Sequence, residues 1–169
     1  MNRILKIGLM CLSMLLAGSV CSCGYAQNKS KTKTTKTVKK AQDANYGKVR
    51  HITKAEFVKN VYDLDKGGAW KYLGSKPCIL DFYAQWCGPC RAISPFLDNL
   101  AKKYKDDIVI YKIDVDKERD LARWAGASSI PLLVFIPMNG EPQANRGALP
   151  EAELDNAIQK VLLKKSRNL

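Results

Sequence analysis

Cys87 and Cys90 stand three residues apart in Trp86-Cys87-Gly88-Pro89-Cys90. The segment falls between an apolar run, Ile79 to Ala84, and a helical pattern that runs from Pro89 to about Tyr104. Cys87 is therefore placed just before a first helical turn, where unpaired backbone amides and the helix dipole favour a negative sulfur. Its thiol is expected to ionise readily, and the thiolate is the attacking species. Cys90, one turn further on, faces the same side and can reach the first sulfur. The pair can close or reopen a small disulfide ring. Such a pair exchanges two electrons with another dithiol through a mixed disulfide.

The elements that must position these sulfurs follow from patterning. Ile79 to Ala84 reads as a strand buried on both faces. In the helix after it, Ile93, Phe96, Leu97, Leu100 and Tyr104 keep helical spacing, and Pro95 predicts a kink. Thr53-Lys54-Ala55-Glu56 is a capping box that predicts a helix. Phe57, Val58, Val61, Tyr62 and Leu64 lie on its buried side, and Gly67-Gly68 interrupts it. Ile108 to Ile113 and Pro131 to Ile136 are two more apolar strands, separated by a short helix from Lys117 to Trp124. Asn139-Gly140 marks a tight turn into a shorter strand ending at Gly147. Pro150 then opens a last helix with Leu154, Ile158, Val161 and Leu162 in one stripe. This order predicts an α/β fold, a central mixed sheet flanked by helices on both faces.

The charge lies outside that fold. The 169 residues carry 28 Lys and Arg against 16 Asp and Glu, a net of +12, with 46% hydrophobic residues. Residues 1–50 hold ten bases and one acid, and 51–163 are formally neutral. A basic nucleic-acid-binding domain is thereby excluded, and no nucleic-acid partner is expected. Residues 1–26 read as an export signal: Arg3 and Lys6, then fourteen apolar or small residues from Ile7 to Val20. At about 1.5 Å per residue these reach about 21 Å, short of a membrane span. Cleavage after Ala26 would start the mature chain at Gln27. The competing form is a lipid anchor on Cys23 or Cys21, whose preceding residues resemble a lipobox loosely. Residues 27–46, rich in Lys and Thr with Val38 as the one aliphatic side chain beyond alanine, read as a disordered tether. Residues 47–169 form the domain.

Within that domain the chain resembles the thioredoxin family. The resemblance rests on Asp81-Phe82-Tyr83-Ala84-Gln85-Trp86-Cys87-Gly88-Pro89-Cys90-Arg91, where the family often has Trp in place of Tyr83. It rests also on Ser129-Ile130-Pro131, which is similar to the family's cis-proline loop and follows Cys90 by 41 residues. Asn139-Gly140-Glu141 and Arg146-Gly147-Ala148-Leu149 match the hairpin and the groove-lining glycine. The match runs from about residue 51 to 163. The hairpin after Phe135 carries one residue more than usual, including Pro137.

The resemblance implies a thioredoxin fold and assigns roles. Cys87 is the exposed nucleophile and Cys90 the resolving thiol. Asp81 is a buried carboxylate that takes the Cys90 proton through a water. Lys112 approaches Asp81. Its alternative is a strand lysine snorkelling to solvent. Trp86, Gly88 and Pro89 shape the docking surface, Pro131 is cis, the Ile130 backbone pairs with an extended substrate segment, and Gly147 lets that segment approach. The redox group is the Cys87–Cys90 disulfide, with no other cofactor and no metal. Cys78 reads as a small buried hydrophobe, Asp114 and Asp116 as solvated acids at a strand end, and Trp70 and Trp124 as core. His51 and the cysteines lack metal-ligand spacing.

Together these readings describe an exported, periplasmic thiol-disulfide oxidoreductase, a monomer acting on protein disulfides. Gly88-Pro89 resembles the reducing members, since oxidising and isomerising relatives usually have His before the second cysteine. A reductase outside the cytoplasm needs electrons from a membrane-embedded thiol transporter. The alternatives are an oxidase or isomerase of exported proteins and a binding module without turnover.

Overall fold

The computed structural model describes residues 47–164. Residues 1–26 and 27–46, where an export signal and a tether are expected, and the last five residues lie outside the described residues. Five strands form one mixed sheet: β1 (Arg50–His51), β2 (Cys78–Tyr83), β3 (Val109–Asp114), β4 (Leu132–Ile136) and β5 (Gln143–Arg146). Their order is β1-β3-β2-β4-β5, with β1 and β2 parallel to β3, and β4 antiparallel to both β2 and β5. The helices are α1 (Lys54–Asn60), α2 (Gly88–Lys103), α3 (Arg119–Trp124) and α4 (Glu151–Ala157), the last continued by a wider π-helical turn at Ile158–Leu162.

β2 is central, and its alternation divides the core. Ile79 points to the side covered by α2 and α4, among Ile93, Leu97, Leu100, Leu154 and Ile158. Cys78, Leu80 and Phe82 point to the opposite side, where Phe57 of α1 and Leu121 of α3 pack. Side chains two apart share a face, so Asp81 joins Ile79 on the α2 side. This arrangement places the strand–helix junction at 84–88 beside the carboxylate.

The capping box is formed. Glu56 N donates to Thr53 Oγ1 at 3.4 Å, and Thr53 N donates to Glu56 Oε2 at 2.9 Å. α1 nevertheless ends at Asn60, earlier than the pattern through Leu64 suggests. Val61 turns wholly into the core, and Asp63 holds the next turn by accepting from Lys66 N. Tyr62 and Leu64 still pack on the core, from that turn and not from a helix.

Pro95 sits inside α2, which continues unbroken to Lys103. α3 begins at Arg119 instead of Lys117, because Lys117 N and Glu118 N first close a turn onto Asp114 O. Trp70 packs half-buried against the core, as expected, but Trp124 is not a core residue. Trp124 is 44% exposed and, with Tyr62 and Trp70, forms a stack of rings 5.0–6.5 Å apart over Phe57. Indoles are too large to be enclosed where only two short helices cover the sheet. No helix among the described residues is long and apolar enough to cross a membrane.

Candidate active site

Cys87 is the N-cap of α2, and its sulfur accepts a hydrogen bond from Cys90 N at 3.2 Å. Pro89, which has no amide hydrogen, falls in the first turn, where none is needed. The backbone thus delivers its one local donor to the sulfur. Cys87 and Cys90 are joined as a disulfide, with Cα atoms 5.3 Å apart.

The sequence implied an exposed nucleophile, and here the structure differs. Cys87 is only 4% exposed and Cys90 1%. Ala84, Val115 and Ile130 close around the pair. The Ile130 carbonyl oxygen lies 3.8 Å from Cys87 Sγ. The Ile130–Pro131 peptide is cis. Gly147 N donates to Pro131 O at 2.9 Å, and Gly147 has φ +97°, a left-handed conformation that favours glycine. Cys87, Ile130, Pro131 and Gly147 are therefore brought together as the spacing suggested, with Gly88 and Pro89 exposed at the same end of α2.

Trp86 is 68% exposed, yet its ring is oriented: Nε1 donates to Asp116 Oδ2 at 2.9 Å. The reading of Asp114 and Asp116 as merely solvated acids is corrected by this geometry. Asp114 is buried at the end of β3, accepts from Asp116 N at 3.1 Å and lies 3.7 Å from Lys117 Nζ. Asp116 is exposed and fixes the tryptophan. The strand register carried the missed signal, since Tyr83 pairs with Asp114 and brings the two following loops together.

Beneath the sulfurs, Asp81 and Lys112 are register partners on β2 and β3, so their side chains leave the sheet on one face. Lys112 Nζ lies 3.2 Å from Asp81 Oδ2. Asp81 is fully buried and neither of its oxygens receives an aligned hydrogen bond, so the contact is an ion pair without directed donation. Burial pushes the Asp81 carboxyl up from its ordinary range, and Lys112 only partly opposes this. Lys112 is 8% exposed, which excludes the snorkelling alternative.

Lys112 has two further contacts. Its ammonium donates to Ser94 Oγ at 2.7 Å and lies 4.5 Å from the Tyr83 ring centroid. Ser94 in turn donates to Cys90 O at 3.1 Å. A continuous polar path therefore runs from Asp81 through Lys112 and Ser94 to the backbone of Cys90. Ser94 lay unnoticed in the sequence because a serine within a helix usually answers its own backbone.

A cavity of about 230 Å³ opens beside Lys112, lined by His51, Tyr83, Asp114 and Lys117 among others. His51 Nδ1 and the Tyr83 hydroxyl are 3.1 Å apart. Burial, then Lys112 and Lys117, hold the imidazole below its ordinary pKa. Cys78 stands three residues before Asp81 on the opposite face of β2, fully buried, its thiol pushed up to about 12 by burial. Among the described residues no cluster of His, Cys, Asp and Glu could hold a metal ion.

Residues 48–160 match the sequence model of the Thioredoxin family. The chain belongs to the thioredoxin family.

It is 42% identical over 108 residues to the thioredoxin of Borreliella burgdorferi, covering 64% of this chain and 92% of that one. It is 39% identical over 111 residues to the thioredoxin of Haemophilus influenzae, covering 65% and 94%. Among solved structures, chloroplastic thioredoxin z superposes with a TM-score of 0.57 at 26% identity, over 67% of this chain and 93% of that one. A thioredoxin from Halobacterium salinarum gives 0.55 at 26% identity, over 68% and 91%. Thioredoxins are disulfide oxidoreductases, and this chain is one, with the Cys87–Cys90 disulfide as its redox group.

Proposed function

We propose that the protein is an exported reductase of protein disulfides, in which Cys87 is the nucleophile and Cys90 the resolving thiol. The observation that carries the redox roles is the hydrogen bond from Cys90 N to Cys87 Sγ at the start of α2. It stabilises negative charge on Cys87, not on Cys90.

In the reduced protein the Cys87 thiolate attacks one sulfur of a substrate disulfide. An S–S bond forms between Cys87 and the substrate, and the other substrate sulfur leaves as a thiolate that takes a proton from solvent. Asp81 then accepts the Cys90 proton through a water. Its raised carboxyl pKa suits it to hold that proton. The Cys90 thiolate attacks Cys87 Sγ, the mixed disulfide breaks, and the second substrate thiolate departs. The substrate gains two electrons and the protein regains its disulfide. During the exchange Trp86, Gly88 and Pro89 flank the substrate, the Ile130 backbone pairs with it beside Pro131, and Gly147 leaves it room.

Export rests on the pattern of residues 1–26, and the reducing direction on Gly88-Pro89 between the cysteines. A membrane-embedded thiol transporter would return two electrons to the disulfide from the cytoplasmic side. The protein is proposed to act as a monomer.

The test is the reduction potential, measured by equilibrating the protein against defined thiol buffers. A value near about −270 mV supports a reductase, whereas one toward about −120 mV refutes that direction and makes the protein a disulfide donor. Cell fractionation with mass determination of the mature N-terminus tests export. The expected result is a chain starting at Gln27, or an acylated Cys23 or Cys21. An intact Met1 in the cytoplasm refutes it.

A further inference from the structure

Beside the cis-proline loop lies a groove of about 440 Å³ with an apolar floor of Val115, Ala122 and Ala127. It is continuous with the redox site, because Val115 also packs against Cys87 and Cys90, as does Ile130. Arg119 and Arg123 rim it. Arg146 of β5 donates to the carbonyl of Gly126, one of the groove's lining residues, at 3.4 Å.

Three of the four acids of this segment are occupied away from the rim. Asp114 lies by Lys117, Asp116 accepts from Trp86, and Glu118 accepts from Lys54 N. Asp120 is shared between Lys54 Nζ at 3.4 Å and Arg123 Nη2 at 3.0 Å, one carboxylate against two cations. Arg119 makes no ion pair among the described residues. The rim is therefore positive beside an apolar floor, in a domain whose residues 51–163 are formally neutral.

We infer that Arg119 and Arg123 select substrate segments in which an apolar side chain is followed by an acidic one. This rests on the proposed reading of the protein as a disulfide reductase and adds to it the class of polypeptide reduced. The apolar side chain enters the groove and the carboxylate meets the two guanidinium groups, which offer paired donors to it. The distance fixes the spacing. Ile130 O is 3.8 Å from Cys87 Sγ, and Ser128 at the groove is two residues upstream. For a substrate running extended along this loop at about 3.3 Å per residue, the apolar–acidic pair lies two or three residues from the substrate cystine.

Synthetic cystine peptides test this, with Leu-Glu, Leu-Gln or Leu-Lys placed two or three residues from the cystine on either side. The readout is kcat/KM for reduction by the full protein. The Leu-Glu peptide is expected to exceed its Leu-Gln counterpart about fivefold at low salt, on one side of the cystine. That ratio is about 1 kcal/mol at 1.4 kcal/mol per decade. It should shrink in 0.5 M salt, where charges beyond about 4 Å are screened, and approach 1 in the Arg119→Gln/Arg123→Gln double variant. Equal rates for the Glu and Gln peptides with the native protein overturn the proposal, as does a preference that survives the double substitution. If no peptide of either charge is reduced, the reductase reading itself falls, and the subsite with it.

Discussion

Replacing Lys112 by Met tests the buried ion pair, because the damage must depend on pH in a fixed direction. Lys112 Nζ and Asp81 Oδ2 are 3.2 Å apart, at 8% and 0% residue exposure. At an effective dielectric constant of about 20, this separation corresponds to an attraction of about 5 kcal/mol. That figure is a ceiling, since a carboxylate stripped of its cation escapes the cost by taking up a proton. Asp81 already has a folded pKa raised by burial. Its contribution to stability is therefore fully present below the unfolded carboxylate range and is lost as pH rises through the folded pKa. Removing the cation raises that pKa further. At low pH, with Asp81 protonated in both proteins, Lys112→Met loses only its contacts with Ser94 and the Tyr83 ring, which do not depend on the Asp81 charge. Above the native Asp81 pKa the extra loss grows by about 1.4 kcal/mol per pH unit. It levels off once the variant's own carboxyl ionises, below about 5 kcal/mol in total. Urea unfolding of the disulfide-closed protein and the variant across pH 4–9 reads this difference. The acid limb of the pH–rate profile for insulin reduction, where Asp81 must be ionised to accept the Cys90 proton, should move to higher pH in parallel. A loss equal at every pH, or one that shrinks as pH rises, refutes the argument.

Ser94→Ala removes the hydroxyl that accepts from Lys112 and donates to Cys90 O. With that acceptor gone the ammonium turns wholly to Asp81, so the same pH–rate profile is expected to move to lower pH, opposite to Lys112→Met. An unmoved profile refutes the coupling. Asp155 joins the end of α2 to α4 by accepting from Lys103 Nζ at 2.7 Å, the Tyr104 hydroxyl at 2.8 Å and Gln159 Nε2 at 2.9 Å. These donors hold its carboxyl below the ordinary range despite an opposing contribution from burial. Asp155→Asn should cost about 1–2 kcal/mol at neutral pH, with the exposed Lys103 contributing little. The depressed pKa makes this stability present above about pH 4 and lost as pH falls through the folded value. Thermal unfolding at pH 7 and pH 3 should show the gap closing in acid, and a constant gap refutes it.

The long apolar runs made β2, β3, β4 and α2 legible within one or two residues, because each buries enough side chain to keep its period. β1 was not foreseen. It consists of Arg50 and His51 alone, too short for any alternation, and it exists because β3 offers a free parallel edge. The π-helical turn at Ile158–Leu162 was equally hidden, since its residues keep the same apolar stripe as an α-helix. At the site, the cysteines, cis-proline and glycine could be read from spacing and family resemblance. Ser94, Asp116 and the arginine rim could not. Ser94 meets Lys112 across 18 residues and Asp116 meets Trp86 across 30, through strand register and helix placement, and the rim is set by where α3 lies against the cis-proline loop. Trp124 misled because indole hydrophobicity does not reveal how much cover two short helices provide.

The alternation of β2 also settles a question of chemical bookkeeping. Three thiols lie within thirteen residues, a composition that in an oxidising setting invites wrong pairings and cross-linked chains. The sheet acts as a bulkhead between them, with Cys78 on one side and Cys87 and Cys90 at the end of a helix on the other. Burial pushes the Cys78 thiol up to about 12, which keeps it protonated at neutral pH, and it packs in one cluster with Phe57, Val61 and Phe82. Among the described residues the third cysteine is thus kept out of the exchange, and the electron count stays at two.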